Sequence, residues 1–153
     1  MEGCLACDVN SGRISVPGGV IAETPTWRAD HCIGAFGIGA VVVKTREHRE
    51  DLWRLNPAEA AELGPFLRRI SDAIVYSLGA ERVYLTMWVD KPPHHVHMVL
   101  YPRWPSDQKR ALDLQLDREA AGPPAKDEAA VAAASLRAYL QRTAIRSRNS
   151  MPE

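Results

Sequence analysis

Three of the five histidines fall within four positions, at His94, His95 and His97. Imidazole is a nucleophile and a common metal ligand near neutral pH, so such a cluster points to group transfer or to a metal centre. The residues that follow (Met98, Val99, Leu100, Tyr101) are strand formers, and Pro102 ends the run before Arg103. Side chains alternate along a strand, so His95, His97 and Val99 share one face, and His94, Val96, Met98 and Leu100 the other. Neighbours on one face stand roughly 6.5–7 Å apart, close enough for two imidazoles to serve one small site. A strand histidine is equally often a half-buried polar residue bonded to backbone; the pair at i, i+2 behind Pro92-Pro93 is what turns the balance toward chemistry.

A second set of chemical residues opens the chain, as Cys4-Leu5-Ala6-Cys7. A C-x-x-C by itself fits half of a zinc site, a thiol redox pair or a chance spacing. Asp8-Val9-Asn10-Ser11-Gly12 follows it and reads as turn chemistry, which disfavours the redox pair. A zinc half-site requires two further ligands elsewhere. Gly34, Gly37 and Gly39 match neither the Walker pattern nor a dinucleotide fingerprint, and read as turn glycines.

At 153 residues the chain has the length of one domain with a real core. Nineteen basic residues balance nineteen acidic ones, so no global charge recommends nucleic acid, a membrane surface or another polyanion as partner. No apolar run approaches a membrane span and no signal-peptide core is present, which gives a cytoplasmic expectation. Three cysteines cannot all pair, and in a reducing compartment a close pair suggests metal or redox chemistry.

The elements that must position these residues are legible in outline. Strands are expected at 20–23, 27–33, 40–44 and 82–89, and then along the histidine segment. Asn56-Pro57-Ala58-Glu59 is a helix start, with Asn56 as cap, Pro57 as first helical residue and Glu59 closing a capping box. Leu63, Phe66, Leu67, Ile70, Ala73, Ile74 and Ser77 repeat at helical spacing to mark its buried face, and Gly79 ends it. Residues 90–94 form a loop of hairpin length. The reading divides the chain into a domain over 1–105, a linker over 106–126, a helix over 127–142 and a tail over 143–153. The last helix is expected to turn Val131, Ala134, Ser135 and Ala138 inward, with Leu136, Tyr139 and Leu140 beside them.

His95-Val96-His97-Met98-Val99-Leu100-Tyr101-Pro102-Arg103 resembles the signature strand of the histidine-triad (HIT) superfamily, in which histidine alternates with apolar residues. Val41-Val42-Val43-Lys44-Thr45-Arg46-Glu47-His48 resembles that family's central strand, which runs into a basic stretch with a histidine. The resemblance covers roughly residues 4–104. It implies an α+β fold, a mainly antiparallel sheet of about five strands with a long helix on one face, in a protein that pairs as a homodimer; the C-terminal helix over 127–142 adds to that fold from outside the resemblance. It implies that His97, in the middle position, is a nucleophile that takes a nucleotidyl group through its α-phosphate. The third position is Val99, which can neither donate nor accept a hydrogen bond, whereas the galactose-1-phosphate uridylyltransferase branch tolerates glutamine there.

Zinc-binding branches combine an N-terminal C-x-x-C with the histidine after the central strand and the first triad histidine. Carried over, the ligands of a structural Zn2+ are Cys4, Cys7, His48 and His95. Lys91 and Arg103 are the expected substrate-binding residues. Asp90-Lys91-Pro92-Pro93 stands where family hydrolases carry Gly, Gln and Ser or Thr. Base and ribose are expected against residues 27–36, where the usual acidic ribose ligand has no clear counterpart. The implied activity is that of a nucleotide hydrolase or nucleotidyltransferase acting on a nucleoside phosphate ester, anhydride or phosphoramidate. The alternative is a zinc protein of this fold that binds a nucleotide or partner with little catalysis.

Overall fold

The structure is a computed structural model that describes residues 1–149, with side chains through residue 145. A short helix α1 (Leu5–Asn10) precedes strands β1 (Val20–Glu23), β2 (Trp27–His31) and β3 (Val41–Thr45). Helix α2 (Pro57–Leu78) leads into β4 (Arg82–Thr86) and β5 (His97–Arg103), and α3 (Ala111–Ala121) and α4 (Lys126–Asn149) complete the chain. The strands form one five-stranded sheet in the order β1-β2-β3-β5-β4. Every pairing is antiparallel. This is the expected α+β architecture. No helix among the described residues is long and apolar enough to cross a membrane.

The histidine strand lies inside the sheet because its composition is apolar on both faces. One face of β5 gives Met98 and Leu100 to the main core, which also holds Trp27, Val41, Val43, Phe66, Ile70, Ile74 and Leu136. The opposite face carries His97, Val99 and Tyr101; Val99 and Tyr101 pack with Cys32 and Ala40 in a smaller cluster. Helices α2 and α4 cover the first face and leave the second to the site.

Helix α2 starts and stops where its sequence signals stand. The Asn56 side chain accepts from the Glu59 amide at 2.9 Å, and the Glu59 carboxylate accepts from the Asn56 amide at 2.7 Å. Gly79 closes the helix at φ 78°, a left-handed turn that a residue with a Cβ rarely adopts. Phe66, Ile70, Ala73 and Ile74 are buried as their spacing requires, with Leu63 and Leu67 packed at the edge of the core.

The C-terminal third departs from the reading of its sequence. Residues 106–126, expected as a linker, hold α3. Helix α4 continues through Asn149 into the expected tail, whose residues 150–153 lie outside the described part. Nor is α4 an appendage, since Ala133, Leu136 and Leu140 belong to the main core. Its buried face also differs from the expected one: Ala129, Ala132, Ala133, Leu136 and Leu140 point inward, while Val131 is 68% exposed. An alanine-rich helix carries little hydrophobic periodicity, so its phase is set by what it packs against. Gly18 shows how closely it packs, because a Cβ there would stand 2.7 Å from that of Ala133 and 2.9 Å from the Ala130 carbonyl.

Candidate metal centre and active-site cavity

Cys4 caps α1, and the C-x-x-C spacing brings both sulfurs to one end of that helix. Asp8, Val9 and Asn10, expected as a turn, belong to α1, and the turn begins at Ser11. The helix is fixed to the sheet by burial of Val9 and by the Asn10 side-chain amide, which donates to the Thr45 and Arg46 carbonyls at 2.9 and 3.1 Å. Together these contacts hold the two thiols over the entrance to β5.

Cys4, Cys7, His48 and His95 converge there, each offering a donor atom, all within 4.8 Å of one another. The Cys4 sulfur lies 3.3 Å from His95 Nδ1, and the Cys7 sulfur lies 3.4 Å from His48 Nδ1 and 3.6 Å from His95 Nδ1. A tetrahedral zinc with ordinary Zn–S and Zn–N bonds separates sulfur from nitrogen by about 3.6 Å, so this donor set has the size and chemistry of a zinc site. The tautomer fits as well. His95 Nε2–H donates to the Thr45 carbonyl at 2.9 Å, with the Thr45 hydroxyl at 3.0 Å, which leaves the Nδ1 lone pair facing the sulfurs. The His48 and His95 rings meet edge-on with centroids 5.1 Å apart, and the other His48 nitrogen, Nε2, is buried without a hydrogen bond.

Burial pushes the His95 imidazole down to about 4, partly opposed by its bond to the Thr45 carbonyl. The ring is therefore neutral at physiological pH, as a ligand must be. Burial, followed by the neighbouring Cys4, pushes the Cys7 thiol up. A bound cation would favour the Cys7 thiolate against that burial.

The loop that carries His48 is braced from α2. Glu59 is almost fully buried, and besides closing the capping box it accepts from Arg49 Nε at 3.0 Å. The Arg49 carbonyl in turn accepts from the Val96 amide at 2.7 Å, linking the two histidine-bearing segments.

Beside the metal group opens a cavity of about 360 Å³ whose wall includes His31, Cys32, Phe36, Lys44, His97 and Val99. That volume is in the range of small-molecule sites. His97 Nδ1–H donates to the His95 carbonyl at 2.8 Å, which leaves Nε2 with its lone pair on a side chain that lines the cavity. Val99 lines the same wall, 7% exposed.

The expected substrate contacts divide. Lys91 is exposed and lies on the cavity rim. Arg103 is not brought to the cavity: it ends β5, six residues beyond His97 and roughly 20 Å away along the strand. Its guanidinium donates to the Asp107 and Lys109 carbonyls at 2.6 and 2.8 Å and to the Tyr84 hydroxyl at 3.2 Å, so it fastens the following loop. Within 27–36, His31, Cys32, Ile33 and Phe36 reach the cavity. Trp27 faces the core instead, its Nε1–H donating to the Glu59 carbonyl at 2.8 Å. His31 shapes the wall: it donates from Nδ1 to the Cys32 carbonyl at 2.9 Å and accepts the Gly39 amide on Nε2 at 3.0 Å.

Two features escaped the sequence. Thr45, at the end of a valine run, orients His95 through its carbonyl, a role that no side-chain type announces. Asp30 and Lys44 form a buried ion pair in which Lys44 belongs to the cavity wall and Asp30 does not line it. Each shows in the sequence only as a charge within a strand; that the two meet depends on the pairing of β2 with β3.

The fold recurs in solved structures. A Zn-bound histidine triad family protein from Mycobacterium smegmatis superposes with a TM-score of 0.72 at 23% identity, covering 93% of this chain and 96% of that one. A hypothetical histidine triad nucleotide-binding protein from Sulfolobus tokodaii gives 0.72 at 15% identity, covering 91% and 93%. A HIT family protein from Bacillus anthracis gives 0.60 at 18% identity over 99% of both chains. No family model and no curated protein matches the sequence. The likeness is therefore one of architecture, and by architecture this chain has the fold of the histidine-triad proteins, with a Cys2His2 group built into it.

Proposed function

We propose that this protein is a nucleotide hydrolase or nucleotidyltransferase in which His97 carries the nucleotidyl group and a structural zinc holds the site in register. The observation that carries this reading is the hydrogen bond from His97 Nδ1 to the His95 carbonyl, which fixes the tautomer and leaves Nε2 as a nucleophile at the cavity wall. Solved structures of the same fold include one described as a nucleotide-binding protein and one described as Zn-bound, in line with both halves of the proposal.

In the first step Nε2 attacks the α-phosphorus. A P–N bond forms, the bond from phosphorus to the leaving group breaks, and its electron pair departs with that group. In the second step water, or an acceptor phosphate oxygen, attacks the same phosphorus. The P–N bond breaks, its electron pair returns to the imidazole, an attacking water gives up one proton to solvent, and a nucleoside monophosphate or a new anhydride is released. Zinc on Cys4, Cys7, His48 and His95 completes its own shell with protein donors, so its contribution is mechanical: it ties α1 to the strand that carries His97. The His95 backbone, whose carbonyl orients His97, is thereby held by the ligand role of its own side chain.

Val99 favours a second reading, a zinc protein that binds a nucleotide with little turnover, because valine offers no hydrogen bond to a phosphate or leaving group. Turnover assays on a panel of nucleoside phosphate anhydrides, esters and phosphoramidates separate the two. The enzyme reading expects hydrolysis of at least one class, lost in His97→Ala. Tight binding without turnover of any class favours the second.

A further inference from the structure

The sheet face that carries His97 holds a second charged group. Along one register row, Arg28 of β2 pairs with Lys44 of β3, and Lys44 pairs with His97 of β5. Directly paired residues in an antiparallel ladder point to the same face, with Cβ atoms about 4.5–5.5 Å apart. In the neighbouring row Asp30 pairs with Val42, and Val42 with Val99. Asp30 is fully buried and receives both cations: Arg28 Nε at 3.0 and 3.2 Å from its two oxygens, and the Lys44 ammonium in a short ion pair.

Two cations therefore share one carboxylate, and no second carboxylate among the described residues is in ion-pair distance of either. Asp90 and Lys91 at the cavity rim cancel one another. The group keeps one positive charge in excess, at a buried position where water screens it poorly. Lys44 is the member that lines the cavity. Its ammonium has three donors, of which Asp30 occupies one.

We propose that Lys44 is the phosphate-anchoring residue of this cavity, supplying beside His97 the polar contact that Val99 lacks. The proposal rests on the nucleotide reading above and names how this chain recognises the charged part of such a ligand. Lys44 lies directly across from His97, nearer than position 99 is along the strand. Asp30, itself bonded by Arg28, holds the Lys44 ammonium, so that the charge is in place before an anion arrives. The anion it suits is the phosphate of a nucleoside monophosphate unit, whose charge the excess cation balances.

The test measures binding rather than turnover. Four common nucleosides and their 5′-monophosphates are titrated calorimetrically into zinc-loaded wild-type protein and into Lys44→Met, Lys44→Arg and Asp30→Asn/Lys44→Met variants. The double variant removes both charges, so that no carboxylate is left buried against a methionine, and circular dichroism checks each fold. Wild type should prefer at least one monophosphate over its nucleoside by on the order of tenfold or more, the weight of a charge-assisted hydrogen bond. That preference should vanish in folded Lys44→Met and in the double variant, with nucleoside affinity unchanged, and survive in Lys44→Arg. A folded Lys44→Met or double variant that keeps the preference overturns the role of Lys44 and leaves the nucleotide reading standing. Wild-type protein that binds neither nucleosides nor monophosphates overturns both.

Discussion

Thr45 holds His95 by the nitrogen that the metal group does not use. The Nε2–H···O=C bond of 2.9 Å turns Nδ1 toward the Cys4 sulfur, 3.3 Å away. A residue on β3 thus sets the tautomer of a ligand just ahead of β5, and the His95 carbonyl passes the constraint to His97. Removing the Thr45 hydroxyl leaves the carbonyl in place. Thr45→Val should therefore keep stoichiometric zinc, with affinity lowered by less than about tenfold, since second-layer partners of metal-bound histidines are worth roughly ten- to a hundredfold and the carbonyl carries most of this one. Competition with a chromophoric chelator measures it, and loss of zinc would show the hydroxyl to be the main partner.

Cys7→Ser should release the metal and lower thermal stability. Without a fourth soft ligand the site loses the thiolate that zinc favours, and α1 keeps only Val9 and Asn10 as anchors. Elemental analysis of protein purified without chelator should give one zinc per wild-type chain and a small fraction of that in the variant. Metal-free wild-type protein would remove zinc from the account.

Metal-free protein should lose stability as pH falls from about 6.5 toward 4. An unfolded histidine titrates near 6.5. Folded His95 titrates near 4 because it is buried, so through that window the unfolded chain binds more protons and is favoured as pH drops. Burial moves His31 in the same direction. Thermal melts of chelator-treated protein between pH 7 and 4 should slope downward, less steeply in His95→Asn. A slope identical in the two proteins would deny His95 its part.

Glu59→Ala should destabilise the fold by about 2–4 kcal/mol, the sum of a lost capping box and a part-buried Arg49 left without its carboxylate. Denaturant unfolding measures it. A cost below about 1 kcal/mol would mean that Arg49 finds water instead.

How far the sequence revealed these parts depends on how local each signal was. The cap at Asn56, the stripe Phe66-Ile70-Ile74 and the alternation in 95–101 are decided within a few residues, and α2 and β5 followed them. Cys4 and Cys7 announce half of a metal group by their spacing, whereas His48 and His95 join them only through the resemblance to the histidine-triad strands, since the two histidines stand far from the cysteines in sequence. The direction of Arg103 is not legible locally, because a basic residue at the end of a strand looks the same whether it faces the cavity or the next loop; here it donates to the Asp107 and Lys109 carbonyls. Helix α4 reads as an extension from its sequence because its alanines declare no face until α2 and β1 are present. Lys44 and Asp30 went unread because their meaning lies in the cross-strand register, which no single strand contains.

Val99→His should raise turnover of substrates with poor leaving groups more than of anhydrides. Phosphate leaves as a stable anion and needs little help, whereas an alcohol or amine gains from a nearby donor, on the order of 10²-fold where general acid catalysis is restored. The larger ring must displace the packing of Val99 on Cys32 and Tyr101, so the variant should also melt lower. Relative kcat/KM on an anhydride and a phosphoramidate is the readout; an unchanged ratio would show that position 99 does not face the leaving group.

During turnover His97 should carry a covalent nucleotidyl group. Zinc-loaded protein incubated with the most rapidly cleaved substrate, quenched in base and analysed as intact protein and as peptides, should show the mass of one nucleotidyl unit on the peptide containing His97. The adduct should be absent from His97→Ala and His97→Asn, both of which should keep zinc, fold and less than about 1% of wild-type turnover, because neither side chain can form the intermediate. A His97→Ala protein that retains near-wild-type turnover, or an adduct mapped to another residue, would contradict it.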